Sequence, residues 1–227
     1  MPESVAGPAL GWLMATDQNP TPAVLPENPP VLVVDYGAQY AKLIARRVRE
    51  CHVYSEIVPH ELSAAEIGAR KPAAIILSGG PKSVHSPGAP GVDPGVFDLG
   101  VPVLGICYGQ QLMALALGGE VANTGVAEFG KAELETGPTA SILFSELPEH
   151  QTVWMSHNDA VVRPPEGFRP TASTPSSPVA AFENPERRLF GVQFHPEVVH
   201  TPRGTEVLKN FLYEGADLLP TWTMTSV

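Results

Sequence analysis

Apolar residues come first in short unbroken runs and later in alternating ones, and the change falls near Gly118. The runs at residues 31–35, 52–58, 73–77 and 101–106 have the length and branching of strands buried on both faces. Between the first two, Tyr40, Leu43, Ile44 and Val48 recur at helical spacing. Arg46, Arg47 and Arg49 gather near that helix's end, where the dipole favours cations. Residues 63–70 predict a short second helix, and the helix formers after Gly109 predict a third, closed by Gly118-Gly119. Strands alternating with helices imply a parallel sheet covered on both faces. Right-handed crossovers then place every strand's C-terminal end, and any ligand site, on one edge. Past Gly118 come strand-like runs at 120–123, 131–135, 151–155, 169–173, 179–182 and 189–194, separated by Gly, Pro and Asn turns. They predict an extension of the sheet plus an antiparallel layer, followed by a final helix at 204–214. The expected fold is α/β: an open, mostly parallel sheet with helices on both faces and a small antiparallel extension.

Composition narrows the setting. Residues 1–30 hold seven prolines, no Lys or Arg and no periodicity, and are expected to be a disordered tail. Residues 31–217 are expected to form one domain, and 218–227 a linker. The 24 acidic against 14 basic residues give a net charge of −10, which argues against nucleic acid and anionic membrane surfaces as partners. No stretch is long enough to span a bilayer. The apolar patch Leu10-Gly11-Trp12-Leu13-Met14 follows Glu3 rather than a basic segment, so no secretion signal is read and the cytoplasm is expected. The two cysteines, Cys51 and Cys107, match neither zinc spacing nor a disulfide framework. Cys51 closes a helical pattern and reads as a packing residue.

Cys107 reads differently. Gly105-x-Cys107-x-Gly109, between a buried strand and a helix, has the spacing of a nucleophile elbow. The glycines allow a tight turn, and the following helix aims its N-terminal dipole at the sulfur, which favours the thiolate over the thiol. The alternative is a structural cysteine packed on a strand. A cysteine nucleophile needs a histidine held by a carboxylate. His195 and Glu197, two apart and extended through Pro196, can supply both from one side of the chain. His157 is the other histidine expected in a Gly/Asn/Asp-punctuated loop. Backbone donors for an oxyanion are expected at Tyr108 and at Gly80, in the turn Ser78-Gly79-Gly80-Pro81. A phosphate loop is the competing reading of that turn, but the Lys-Ser/Thr of a nucleotide loop is missing.

These motifs resemble the class I glutamine amidotransferases, over about residues 31–224. Cys107-Tyr108-Gly109-x-Gln111 and His195-Pro196-Glu197 mark the class. Asp35-Tyr36-Gly37-Ala38-Gln39-Tyr40, Ser78-Gly79-Gly80-Pro81 with Ser83-Val84, and Trp154-Met155-Ser156-His157 point to its GMP synthase branch. The resemblance implies a catalytic triad of Cys107, His195 and Glu197, and an oxyanion hole of Gly80 and Tyr108. It implies glutamine binding by Gln111, with Gly79, Phe129, Asn158 and Asp159 around the same pocket. It further implies no metal or cofactor in this chain. ATP and magnesium are expected only in a partner synthetase (ATP-pyrophosphatase) domain that would use the ammonia to aminate xanthosine monophosphate. Two departures from the family pattern stand out: Asn158 where Gly is usual, and Ala127 where Arg is usual before Glu128-Phe129-Gly130. Rival expectations are a stand-alone γ-glutamyl thiol hydrolase, an amidotransferase serving another synthase, and a non-catalytic module that senses glutamine.

Overall fold

The structure is a computed structural model that describes residues 29–223, apart from positions 38 and 139. Most of the expected tail (1–28) and the end of the expected linker (224–227) lie outside the described residues. Strands β1 (Val31–Asp35), β2 (Ser55–Pro59), β3 (Ala74–Leu77) and β4 (Val103–Ile106) alternate with helices α1 (Tyr40–Glu50) and α2 (Ala64–Ala69). Helix α3 (Tyr108–Ala116) follows β4 directly. Strands β5 (Glu120–Thr136), β6 (His150–Arg163), β7 (Arg169–Ser173), β8 (Ala181–Asn184) and β9 (Leu189–Val192) come next. Helix α4 (Gly204–Lys209) passes into a π-helical turn at Asn210–Gly215.

All nine strands form one sheet in the order β2-β1-β3-β4-β9-β8-β7-β5-β6. From β2 to β9 the pairing is parallel, and from β9 outward it is antiparallel. The antiparallel part is therefore an extension of the same sheet, and its four strands carry as many pairings as the parallel half. Alternate residues of β1 enter opposite cores. Val31 and Val33 pack with Ile44 and Val48 of α1, while Leu32 and Val34 pack with Ile67 of α2 and Met113 of α3. Burial on both faces explains the unbroken apolar runs. Helix α2 is held by a reciprocal cap: Ser63 accepts from the Glu66 N–H and the Glu66 carboxylate accepts from the Ser63 N–H. Such a cap offsets the short length by about 1 kcal/mol.

Three expectations change. The runs at 120–123 and 131–135 belong to one strand, because residues 124–127 bulge out between the pairs Asn123–Asp159 and Glu128–His157. The run at 151–155 continues as strand to Arg163, so His157, Asn158 and Asp159 sit on β6 and not in a loop. Within 218–223 the chain is anchored at Trp222: its N–H donates to the His52 carbonyl at 2.9 Å and its indole is buried beside Tyr54, just before β2. Pro30 already belongs to the domain, its carbonyl accepting from the Ala73 N–H at 2.9 Å. Cys51 is fully buried in the α1 core, and burial pushes its thiol up from the ordinary value.

Candidate active site

The site is built on the turn from β4 to α3. Cys107 has φ 53° and ψ −105°, backbone that an L-residue adopts only when its surroundings impose it. The flanking glycines show how. A Cβ on Gly105 would stand 2.7 Å from the Gln110 nitrogen, and one on Gly109 would stand 2.3 Å from the Leu77 carbonyl oxygen. Helix α3 therefore seats directly on β3 and β4. The turn is pinned by Cys107 N–H to Val192 O at 2.8 Å and Gly109 N–H to Ser78 O at 3.1 Å. The Cys107 sulfur lies 3.7 Å from the Ser156 carbonyl oxygen of β6, at the N-terminal end of α3.

Beyond β9 the chain stays extended, and the His195 N–H donates to the Trp154 carbonyl at 3.0 Å. Thr201 donates its hydroxyl to the His195 carbonyl at 2.6 Å and accepts from the Trp154 N–H at 3.0 Å. Arg47 of α1 donates Nε to the Glu197 carbonyl at 3.0 Å. With the backbone fixed from three sides, His195 Nδ1 meets Glu197 Oε1 at 2.8 Å, both side chains almost wholly buried. A carboxylate can only accept, so Nδ1 carries the hydrogen. Burial alone would push the His195 ring down. The charges of the neighbouring Cys107 and Glu197, with the hydrogen bond to Glu197, overcome it and hold the ring well above 6.5. Tyr40 packs on its face, ring centres 4.4 Å apart.

Above the sulfur a cleft of about 280 Å³ opens. Gly80, Cys107, Tyr108, Gln111, Phe129, Asn158 and Asp159 all line it, so seven of the ten residues expected at the site share one cavity. Gly79 packs behind it, where a Cβ would come within 3.0 Å of His195 Cε1. His195 and Glu197 lie below the floor. Gly80 sits against the Tyr108 ring, where a Cβ would be 2.8 Å away. Tyr108 is the first residue of α3, so its N–H has no intrahelical partner. Phe129 stands at the mouth, 66% exposed.

Several further residues support the cleft without having been expected there. Ser83 donates its hydroxyl to the Asp159 carboxylate. His157 bridges the Asp159 carbonyl and the Glu128 carboxylate, each at 3.0 Å, and Thr174 donates to the other Glu128 oxygen at 2.8 Å. Burial pushes His157 down, with Glu128 opposing. Gln193 touches Gln111 from below, Gln111 Nε2 donating to its Oε1 at 3.1 Å. A polar residue inside the run Val192-Gln193-Phe194 was the available signal for Gln193. Among the described residues no three His, Cys, Asp or Glu converge as metal ligands. Nor is any helix among them long and apolar enough to cross a membrane.

The family model "Glutamine amidotransferase class-I" matches residues 32–214. A GMP synthase (glutamine-hydrolysing) of Parafrankia sp. is 65% identical over 202 residues, covering 89% of this chain and 38% of that protein. The one of Thermobifida fusca is 61% identical over 197 residues, covering 87% and 37%. The chain thus spans less than two-fifths of the length of these relatives. Among solved structures, a protein from Thermoplasma acidophilum described as one subunit of a GMP synthase superposes with a TM-score of 0.75. It is 32% identical, and the match covers 84% of this chain and 95% of that one. A glutamine amidotransferase from Thermotoga maritima shares the fold at 17% identity, with a TM-score of 0.64 over 84% and 99% of the two chains.

Proposed function

The chain belongs to the class I glutamine amidotransferases, and from that premise we propose that it is the glutamine-hydrolysing part of a GMP synthase. The observation that carries the reading is geometric: Cys107 lines the cleft at the start of α3, and the buried His195 behind it is held by Glu197 at 2.8 Å.

In this reading glutamine enters the cleft with its side-chain amide over Cys107. The sulfur attacks the amide carbon, and the carbonyl oxygen gains the negative charge of a tetrahedral intermediate. The N–H groups of Tyr108 and Gly80 donate to that oxygen. His195, with Nδ1–H held by Glu197, passes its Nε2 proton to the departing nitrogen, which leaves as ammonia. A γ-glutamyl thioester remains on Cys107. The now neutral Nε2 takes a proton from water, whose oxygen attacks the thioester carbon. Collapse of the second intermediate expels the sulfur and releases glutamate. Gln111, Asn158 and Asp159 hold the amino-acid end. The ammonia would serve a synthetase domain, in this chain or a separate one, that uses ATP and magnesium to aminate xanthosine monophosphate.

Cys107→Ser tests the reading. It removes the soft nucleophile and almost no volume, so glutamate release should vanish while the melting temperature holds. Retention of more than a trace of glutaminase activity takes Cys107 out of the role.

A further inference from the structure

Gln193 lies one layer beneath the cleft and is 0% exposed. It sits between two fully buried apolar residues, Val192 and Phe194. Its Oε1 accepts from Gln111 Nε2 at 3.1 Å, while its own Nε2 is buried with no partner among the described residues. An orphaned buried amide N–H costs stability, and an apolar side chain of similar length would not incur that cost. Its presence here is therefore not explained by folding. What the side chain does is visible one step up. Gln111 Nε2 has two hydrogens: one goes to the Asp159 backbone oxygen at 2.6 Å, the other to Gln193 Oε1. A backbone carbonyl only accepts, so this orientation of the Gln111 amide follows from the chemistry of its partner. With both hydrogens spent, Gln111 can show the cleft only its Oε1, an acceptor.

We infer that Gln193 is a positioning residue for substrate: it locks the Gln111 amide with its oxygen toward the cleft, so that Gln111 accepts a hydrogen bond from an N–H of the bound amino acid. The inference rests on the glutamine-binding reading above and deepens it. Without Gln193, one Gln111 hydrogen loses its partner. The amide is then held by the Asp159 carbonyl alone, and it can swing about that one contact and carry its Oε1 off the substrate N–H. The loss falls on occupation of the cleft, not on the sulfur.

Two alkylating reagents separate these effects. Iodoacetamide needs only an exposed sulfur, whereas a chloroketone analogue of glutamine, whose chloride the sulfur displaces, must first occupy the cleft. Labelling rates of Cys107 are measured by mass spectrometry in the full chain, its Gln193→Met, Gln111→Met and double variants, with melting temperatures alongside. In Gln193→Met the chloroketone rate should fall about ten-fold while the iodoacetamide rate is unchanged. In the Gln111→Met background, Gln193→Met should have no further effect, because its action runs through Gln111. Equal slowing with both reagents, additive effects in the double variant, or an unchanged chloroketone rate would each overturn the inference. A native chain that reacts with iodoacetamide but not with the chloroketone would defeat the glutamine-site reading itself, and this inference with it. If Gln193→Met does not fold, Gln193→Glu keeps the acceptor and should retain chloroketone labelling. Loss of that labelling in a folded Gln193→Glu protein also overturns it.

Discussion

Replacing Glu197 by Gln changes one charge and almost no shape. The amide oxygen can still accept from His195 Nδ1 at the present 2.8 Å, so the ring keeps its tautomer and place. What is lost is a carboxylate beside an imidazolium, both almost wholly buried. At a charge separation of about 4 Å and an effective dielectric of about 20, that attraction is about 4 kcal/mol. A neutral hydrogen bond returns about 1 kcal/mol. The remaining ~3 kcal/mol bears on every step in which His195 carries a proton, and at about 1.4 kcal/mol per decade it costs roughly 100-fold in kcat. His195→Ala should cost more, because it removes the proton carrier and leaves Glu197 buried without a partner. The assay is steady-state glutamate release at saturating glutamine across a pH series. Losing one anion leaves burial less opposed, so the imidazolium should disappear at lower pH than in the native chain. A loss under about five-fold, or one exceeding that of His195→Ala, would refute the reasoning and give Glu197 another role.

Gly109→Ala would put a methyl 2.3 Å from the Leu77 carbonyl oxygen, where only backbone can yield; a loss of about 1–3 kcal/mol in chemical denaturation is expected, with Gly91→Ala, where nothing lies within 4 Å, as the neutral control. His195, followed by NMR, should titrate well above 6.5 in the native chain and move down in Cys107→Ala. With the folded value raised, the ring's contribution to stability is complete below the free-imidazole range and is lost as pH rises through the folded value. The chain alone should show low glutaminase activity, and a synthetase partner with ATP and xanthosine monophosphate should raise kcat by about ten-fold, ~1.4 kcal/mol. Equal rates with and without the partner would mean the site is preformed.

The parallel half of the fold could be read from the chain because strands buried on both faces have no polar side to interrupt them. The elbow was legible for a related reason: Gly105 and Gly109 stand where a Cβ would strike backbone, and that demand leaves a spacing in the sequence. His195 and Glu197 followed from the two-residue repeat of extended chain. What escaped depends on partners distant in sequence. The length of β5 is set by β6 across a bulge at 124–127, where the alternation that would mark one strand is broken. His157 has the sequence surroundings of a loop residue because Asn158 and Asp159 are turn formers, yet cross-strand pairing with Glu128 keeps it extended. Gln193 gains its meaning only from Gln111, 82 residues away.

In the proposed mechanism, a covalent bond between Cys107 and the side-chain carbon of glutamine is the step on which every other assignment at the site depends. The chain, mixed rapidly with isotopically labelled glutamine and quenched in acid, should carry the label as a glutamyl adduct on the peptide containing Cys107. That adduct should be absent from Cys107→Ser, and hydroxylamine should release it, as it releases a thioester. Glutamate formed without any labelled Cys107 peptide, under conditions where a chemically made γ-glutamyl thioester survives the quench, would contradict it.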